Sequence, residues 1–319
     1  MTFMVKAFAS SADLADKRIT CTEMAPGCFS YTAEGDPNSG FIVGDDAVAV
    51  VDTQPTPVMA QDVLARIRKV TDKPITHVIL THYHAVRVLG ASAYGAHTVI
   101  ASSGTRDLIE ERGKADMDSE ISRFPRLFRG KESIPGLTRP NLVFTDEVSL
   151  FLGALEIRVI QFGRGHTKGD SIVWVPKHKV MYSGDLVEFG ATPYTGDAYL
   201  KDWPETLDRL AKLGAERLVP GRGDALLDAA SCASAIADTR SFVSDLLSQV
   251  QKRKAAGADL KSAYRETYDV LHAKYGHWKI FDHCLPFNVS RAYDEAGGLR
   301  EPRVWTDARD REMWSQLEG

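Results

Sequence analysis

The chain has 319 residues, of which 44% are hydrophobic and 26% are charged, and its formal net charge is −4. This composition is typical of a globular protein, and without a basic excess to neutralise phosphates it argues against nucleic acid as a partner. No apolar run approaches the roughly 20 residues that cross a bilayer. The N-terminus also lacks a signal-peptide pattern, so we expect a cytoplasmic protein with no membrane contact. The cysteines have no C-x-x-C spacing and are expected to be reduced.

The N-terminal part of the chain predicts a strand hairpin followed by alternating strands and helices. Two β-rich runs in residues 41–52 are joined by a Gly-Asp-Asp turn. A helix over residues 58–70 places apolar residues on one face. A buried strand at 77–80 then leads into a histidine-containing loop at 81–87. A short helix around 88–94 and a strand at 98–101 follow.

Residues 105–141 form a charged, helix-like segment in which basic residues are interleaved with apolar ones. We interpret this segment as a solvated helical insertion. The alternative is a lid whose basic side chains attract an anionic substrate. The basic residues concerned are Arg123, Arg126, Arg129 and Lys131.

The second half of the chain predicts further strands and then a helical tail. Strands are expected at residues 142–144, 148–152, 155–162, 171–175, 180–183 and 217–220, with a helix at 203–213 before the last strand. Beyond residue 228 the pattern is helical, at 231–256, at 258–275 and in shorter pieces. We therefore predict a domain at 1–228, including the insertion. A C-terminal helical subdomain at 229–319 would pack on this domain or form a homodimer interface.

Polar side chains follow several of the predicted strands, in loops where α/β proteins place their sites. His82 and His84 lie one residue apart just after the strand at 77–80, so both imidazoles can face one cation. Alone this spacing is a weak signal, because nine histidines in the chain make a chance pair common. Three further motifs supply the context: Gly165-His166, Ser183-Gly184-Asp185 and Pro220-Gly221-Arg222.

In this order, with Asp52 after the early hairpin, the motifs resemble those of the metallo-β-lactamase superfamily over about residues 25–225. The pattern of that family is an acidic residue, a Thr-His-x-His-x-Asp-His loop, a Gly-His loop, a Gly-Asp strand end and a Pro-Gly-His loop. The resemblance implies an α/β fold, a four-layer αββα sandwich with two sheets faced by helices, here with a C-terminal helical extension. It also implies that Asp52 mainly orients the histidine loop and is not a metal ligand.

The resemblance further implies which residues bind metal. In relatives with two metals, three histidines hold the first ion and an aspartate bridges both; these match His82, His84, His166 and Asp185. The positions of the remaining ligands of the second ion match Val86, Arg87 and Arg222. At each of these positions the metal-binding side chain of the relatives is replaced. A decayed site would show losses scattered over both metal positions. Because every first-site ligand is present, we favour a retained but altered site.

Three neutral imidazoles with one open position are typical of a catalytic zinc site, in which the pKa of bound water falls to about 7. We therefore predict one zinc ion, bound by His82, His84, His166 and Asp185. The predicted catalytic group consists of Asp185, Arg87 and Arg222. In this hypothesis fixed guanidinium charge replaces the second metal, either by binding a substrate oxyanion or by stabilising negative charge in the transition state.

Other polar residues have plainer alternatives. Lys168 and Tyr194 join the two arginines as predicted substrate contacts, but the alternative for Lys168 is a solvated loop charge. His272, His277 and His283 in the helical tail could form a separate metal site. We interpret them instead as scattered surface or capping histidines.

The predicted function is that of a mononuclear zinc hydrolase, in which metal-bound hydroxide attacks an ester, lactone, amide or thioester bond of a small anionic substrate. The first alternative is an oxidoreductase with one iron ion held by His82, His166 and Asp185, as in the persulfide dioxygenases of the same superfamily. The second alternative is a catalytically inactive binding or assembly protein of the same fold. Metal content separates the three hypotheses.

Overall fold

The structure, a computed structural model, describes residues 8–318. Residues 1–7, on which the prediction of no signal peptide rests, lie outside this part. The strands form one sheet of seven and one of five. The first sheet contains, in spatial order, β1 (Thr20–Ala25), β2 (Cys28–Thr32), β3 (Ser39–Val43), β4 (Val48–Val51), β5 (Ile75–Ile79), β6 (Thr98–Ser102) and β7 (Leu142–Phe144). The second contains β8 (Glu147–Leu152), β9 (Leu155–Gln161), β10 (Ser171–Val175), β11 (Val180–Tyr182) and β12 (Arg217–Val219), also side by side in this order.

Strand pairing in the first sheet changes from antiparallel to parallel along the chain. Strands β1 to β4 pair antiparallel, and β3 and β4 confirm the hairpin predicted in residues 41–52. Strands β4 to β7 pair parallel, so their carboxyl ends meet at one edge of the sheet. The second sheet is antiparallel except for the parallel pair β11 and β12. The loops after β5 and β11 carry the candidate site.

Eight α-helices lie within residues 8–318. They are α1 (Pro57–Val70), α2 (Ala85–Val88), α3 (Ser103–Arg123), α4 (Trp203–Ala211), α5 (Ala229–Ala255), α6 (Leu260–Tyr275), α7 (Phe281–Ala296) and α8 (Asp307–Glu318). Side-chain oxygens of Thr56, Ser102, Asp228 and Asp259 accept first-turn N–H groups and so stabilise the starts of α1, α3, α5 and α6. None of these helices has an apolar stretch long enough to cross a membrane.

Three apolar clusters separate the layers of the fold. The inner faces of the two sheets meet through residues such as Ile42 and Val51 from the first sheet and Val159 and Val173 from the second. The outer face of the first sheet packs against α1, α2 and α3. The outer face of the second sheet packs against α4, α5 and α7. This order of helix, sheet, sheet and helix confirms the four-layer αββα sandwich.

The C-terminal helices extend the outer layer over the second sheet. Helix α5 begins at Ala229, where the C-terminal subdomain was predicted to start. Its buried face belongs to the same core cluster as β10, β11 and α4, so the two predicted units share one core. The homodimer through these helices stays a prediction. All four cysteines are free, as expected.

Two predictions between residues 85 and 141 are wrong. The helix expected around 88–94 starts earlier, as α2, and a 3₁₀ turn at Ala91–Tyr94 follows it. The early start has a cause, because buried carboxylates of Asp116 and Glu120 accept the N–H groups of Ala85 and Val86 at 2.7 and 3.1 Å. The interpretation of residues 105–141 as a solvated insertion therefore fails for one face of α3, on which Arg112, Asp116, Glu120 and Arg123 are buried, whereas most charged residues of its other face are exposed.

Candidate metal centre

The predicted ligands of the first metal meet beside the two sheets. His82 and His84 follow β5, His166 lies between β9 and β10, and Asp185 follows β11. One possible ligand atom from each residue lies within 4.8 Å of all the others, and all four side chains are buried. No second group of three or more potential ligands is found among residues 8–318, so the tail histidines form no separate metal site there.

The hydrogen bonds of His82 fix which of its ring nitrogens faces the cluster. The Asp52 carboxylate accepts the Thr81 N–H at 2.9 Å and the Thr81 hydroxyl at 2.8 Å. Since this hydroxyl has given its proton to Asp52, its oxygen accepts a hydrogen bond from His82 Nδ1 at 3.0 Å. Nε2 of His82 then carries a lone pair, and it is buried without a partner. Asp52 thus orients the histidine loop, as the resemblance implied.

The other two imidazoles are oriented in the same way by acceptors outside the cluster. His166 Nδ1 donates to the carbonyl oxygen of Tyr194 at 2.8 Å, and His84 Nε2 donates to the Asp197 carboxylate at 3.2 Å. Their remaining nitrogens, His166 Nε2 and His84 Nδ1, lie 3.0 Å apart. Two imidazole lone pairs at this distance repel each other unless a proton or a metal ion lies between them.

The donor set fits a divalent metal ion. Three inward-facing imidazole nitrogens converge with Asp185 Oδ2, which lies 3.7 Å from His82 Nε2 and 3.6 Å from His166 Nε2. A tetrahedral zinc site with bonds of 2.0–2.1 Å has ligand–ligand edges of about 3.3 Å; three of the ligand pairs lie 3.0–3.7 Å apart, and all four atoms lie within 4.8 Å of one another. Each histidine also has the outer hydrogen bond that metal-binding imidazoles usually make. The cluster can therefore hold a metal ion.

Two guanidinium groups also contact Asp185, one at each carboxylate oxygen. Arg87 Nη2 donates to Asp185 Oδ1, and Arg222 Nη1 donates to Asp185 Oδ2 at 2.8 Å. Burial alone would raise the pKa of Asp185, but Arg87 and then Arg222 hold it well below its usual range. Arg87 also donates to the carbonyl oxygens of Asn38 and Gly221, at 2.6 and 2.7 Å. It is therefore fixed against the backbone on the side of Asp185 away from the histidines.

Arg222 has a second carboxylate partner that no motif had indicated. Its Nη1 donates to Glu188 Oε1 at 3.0 Å, and Glu188 is fully enclosed. Burial, followed by the charge of Asp185, raises the pKa of Glu188 and favours its protonated form. Two guanidinium groups thus meet at Asp185, whose pKa they lower, while the pKa of the neighbouring Glu188 is raised.

A cavity of about 350 Å³ opens onto the metal cluster. His84, Asp185, Arg222 and Tyr194 line it, so the structure brings two of the predicted substrate contacts to the cavity. Arg87 is 1% exposed and is not among the described residues that line it, so its predicted contact with substrate has no support in the geometry. Lys168 is likewise remote from this cavity. It is exposed and lines a separate surface depression, in keeping with the solvated alternative.

The lid interpretation is only partly consistent with the positions of the basic residues. Arg123 and Arg126 line the cavity, whereas the Arg129 side chain is 58% exposed and pairs with Asp16. Arg126 is already neutralised, because both its terminal nitrogens donate to Asp36, at 2.5 and 2.6 Å. Arg123 is the most deeply buried of the four basic residues, with 2% exposure against 8% for Arg126.

Several residues around the site carried no readable signal in the sequence. Asp197, which orients His84, also pairs with Arg112 of α3 at 3.3 Å. It lies in an irregular loop, 113 residues from His84, so no short spacing could reveal it. His283 was interpreted as a surface or capping histidine, and this is wrong because it is 5% exposed and lines the cavity. A helical pattern over residues 281–296 with His283 on its buried face would have been the signal for this position.

The fold and the ligand order together define a class of protein. The family model of the metallo-beta-lactamase superfamily matches residues 32–222. The chain belongs to this superfamily, whose fold it shares and whose members include metal-dependent hydrolases.

Individual relatives are distant from this chain. Metallo-beta-lactamase type 2 of Bacillus cereus is 23% identical over 202 residues, which cover 61% of this chain and 70% of that protein. IND-1 of Chryseobacterium indologenes is 25% identical over 194 residues, covering 59% and 72%. Among solved structures, a metallo-beta-lactamase from Pontibacter korlensis has a TM-score of 0.57 at 20% identity, over 71% of this chain and 99% of that one.

The likeness to another solved structure extends over more of this chain. The sec-alkylsulfatase Pisa1 from Pseudomonas sp. has a TM-score of 0.68 at 18% identity, covering 87% of this chain and 50% of that one. The chain therefore spans about half the length of the sulfatase. At these identities the likeness to the solved structures shows the fold alone.

Proposed function

We propose that the protein is a hydrolase with one zinc ion that cleaves a small anionic substrate. The observation that carries this proposal is the contrast between the two metal positions. Three imidazole nitrogens that can bind a metal ion converge at the first position, whereas guanidinium groups contact Asp185, which would bridge to a second ion.

The electrostatics support one metal ion. A second divalent cation near Asp185 would lie beside Arg87 and Arg222, and like charges at such distances repel strongly in an enclosed site. It would also lack ligands, because Val86 offers only an apolar side chain, buried in the core around the first sheet. The guanidinium groups can supply positive charge at this position instead of the missing ion, because arginine stays ionised even when it is buried.

The residues of the chain would divide the catalytic work between them. Zinc in a three-histidine site supplies hydroxide from water near neutral pH. Arg222, which lines the cavity beside Asp185, would bind the oxygen on which negative charge develops. Tyr194 also lines the cavity, and burial raises its pKa well above 10, so its phenol keeps a proton to donate. Arg87 would act through Asp185, by keeping this carboxylate ionised and in place.

The bond that is cleaved is proposed as an ester, lactone, amide or thioester. A sulfate ester joins this set because the sulfatase Pisa1 shares the fold over most of the chain.

The test combines metal analysis with activity. Purified protein is expected to contain about one zinc per chain, and His84→Ala is expected to lose most of it. His277→Ala is a matched control, because His277 is exposed and outside the cluster. Hydrolysis of a panel of ester, lactone, thioester and alkyl sulfate substrates should stop after chelation and return with zinc.

Other outcomes would contradict the proposal in different ways. Full metal content in His84→Ala would remove the three-histidine site. One iron per chain with oxygen consumption would favour the oxidoreductase alternative, in which His82, His166 and Asp185 are the ligands. A stable protein that binds no metal even when zinc is supplied would favour the inactive binding protein.

A further inference from the structure

The first turn of helix α7 forms part of the wall of the cavity next to the metal cluster. Phe281, Asp282, His283 and Cys284 all line this cavity. The helix has 16 residues, and no side chain caps its N-terminus. The first N–H groups of a helix have no partner within it, and the helix dipole makes this end positive. A helix start in a cavity wall favours negative charge there, but by itself it does not define a site.

The backbone that leads into this helix is strained. Ile280 precedes α7 and has a φ of +56°, a left-handed conformation that is a genuine outlier for a β-branched residue. Such conformations persist only where the surrounding structure imposes them. Ile280 also lines the cavity, so the strained residue fixes the point at which α7 enters the wall.

Two buried side chains next to this helix start have unused hydrogen-bonding groups. Arg123 is 2% exposed, and its Nε and Nη1 have no hydrogen-bond acceptor among the described residues. Its ion-pair partner Asp310 lies 3.2 Å from Nε without hydrogen-bond geometry. His283 is 5% exposed, and its Nδ1 also lacks a partner. Buried donors without acceptors are rare in folded proteins, because each one loses its hydrogen bond to water.

Arg123 and His283 belong to one cluster in the cavity wall. The Arg123 guanidinium lies 4.5 Å from the centre of the Phe287 ring, and the His283 ring lies 5.7 Å from the same ring. Phe124, next to Arg123 in the chain, lies 4.3 Å from the His283 ring. Burial, with help from the Arg123 and Arg222 charges, keeps the pKa of His283 well below 6.5, so its imidazole is neutral.

The remainder of the cavity wall mixes apolar side chains with charged ones, including the carboxylates of Asp13, Asp36 and Glu120. Leu127, Trp278 and Phe281 contribute apolar surface. Lys279 also lines the cavity, is exposed, and makes no ion pair with any residue in the described part of the chain. The acidic residue of the first helical turn, Asp282, is hydrogen-bonded to the Tyr268 hydroxyl at 2.8 Å. The wall therefore combines apolar surface with charges of both signs, of which the Asp36 and Glu120 carboxylates already accept hydrogen bonds from Arg126 and from the Val86 N–H.

We propose that Arg123, His283 and the first turn of α7 form a second binding site, the α7 subsite, for an oxyanion of the substrate. This inference rests on the proposed hydrolase function and gives its substrate a chemical class. The substrate is a small amphiphile with an apolar body and a carboxylate or sulfate end group. Its end group binds the α7 subsite, and the bond to be cleaved lies at the metal cluster beside Arg222.

The subsite also assigns a role to the part of the chain beyond the family match. His283 and α7 follow residue 222, where that match ends. The metal ligands and Arg123 of α3 lie within the matched domain, whereas the C-terminal helices would add His283 and the first turn of α7 to the substrate site. A cavity of about 350 Å³ is within the range of small-ligand pockets.

Binding of simple amphiphiles tests the subsite without any reaction. Octanoate and octyl sulfate are titrated calorimetrically into zinc-depleted and zinc-loaded protein, with octanol as the uncharged control. At least one of the two anions is expected to bind at least about tenfold more tightly than octanol, because charge-assisted hydrogen bonds to a guanidinium are strong. Binding of octanoate alone or octyl sulfate alone identifies the preferred end group.

Variants then locate the bound anion. Because Arg123→Met alone would leave Asp310 unpaired, the pair is removed together as Arg123→Met with Asp310→Leu, and His283→Phe is made separately. Each is expected to weaken anion binding about tenfold or more while octanol binding is unchanged. Arg129→Met is the matched control, since Arg129 is an exposed arginine outside the cavity.

The subsite and the hydrolase function can fail independently. Equal binding of octanol and both anions, or anion binding that is unchanged in both variants, would overturn the α7 subsite. Anion binding by zinc-loaded protein that hydrolyses none of the panel substrates would contradict the hydrolase proposal and leave the subsite intact. Thermal unfolding of each variant shows whether a loss of binding reflects a loss of fold.

Discussion

Substitution of Asp197 by asparagine tests whether this residue orients a metal ligand. Asp197 Oδ2 accepts from His84 Nε2 at 3.2 Å, and Oδ1 faces Arg112 Nη1 at 3.3 Å. A carboxylate can accept both hydrogen bonds, whereas an amide can present its oxygen to only one of the two donors. His84 then loses the partner that directs Nδ1 at the metal. Removal of such an outer hydrogen bond typically costs 10- to 100-fold in metal affinity, or about 1.4–2.8 kcal/mol.

Zinc affinity is measured by competition with a chromophoric chelator, in wild type and Asp197→Asn. The other two histidines keep their own acceptors, Thr81 and the Tyr194 carbonyl, so the variant should still bind zinc, only more weakly. Asp202→Asn is the control, because Asp202 lies nearby in sequence but pairs with Arg164 at the surface. An affinity within about threefold of wild type, less than the loss expected for such a partner, would refute the orienting role.

Three further predictions concern the same centre. A triple variant should raise the zinc stoichiometry towards two ions per chain; its substitutions are Val86→Asp, Arg87→His and Arg222→His. An unchanged stoichiometry would mean that the pocket differs from those of its relatives at further residues. Burial disfavours the proton on His84, but nearby carboxylates outweigh this and raise its pKa to about 9 in the metal-free protein. Zinc binding at pH 7 should therefore release about one proton, and zinc affinity should rise with pH up to about 9; calorimetry in buffers of different ionisation enthalpy would contradict this by showing no release. Thr81→Val should lower zinc affinity about tenfold and destabilise the fold by about 1–3 kcal/mol, because a buried carboxylate loses a donor; denaturant unfolding that matches wild type would count against it.

The convergence of the four candidate ligands was predictable because each follows a strand within a short motif. His82 and His84 come directly after β5, and Asp185 directly after β11, so the ends of the strands fix their positions. The surroundings of Asp185 were predicted in part. Arg87 and Arg222 both contact it, as the hypothesis of replaced metal charge requires. The orientation of Arg87 away from the cavity depends on carbonyl groups of distant loops, which no local pattern encodes.

The charged residues of α3 show why the buried charges around the site could not be predicted from the sequence. Asp116 and Glu120 are four residues apart on one helical face, a spacing that is usual for a solvated surface. Their partners are backbone N–H groups of Ala85 and Val86, more than 30 residues earlier in the chain. The helical tail presents the same difficulty, because His283 acquires its place in the cavity only when α7 packs against α3. Pattern and spacing identify elements, but partners contributed by distant segments decide which charges are buried.

The most direct test of the central claim is the anomalous diffraction of crystals grown with excess zinc. Data collected on both sides of the zinc absorption edge should show one strong peak per chain, bounded by His82 Nε2, His84 Nδ1 and His166 Nε2. The side of Asp185 that faces Arg87 should show none. A second peak beside Asp185, or a single peak away from the three imidazoles, would contradict the account of a one-metal site with arginine in place of the second ion.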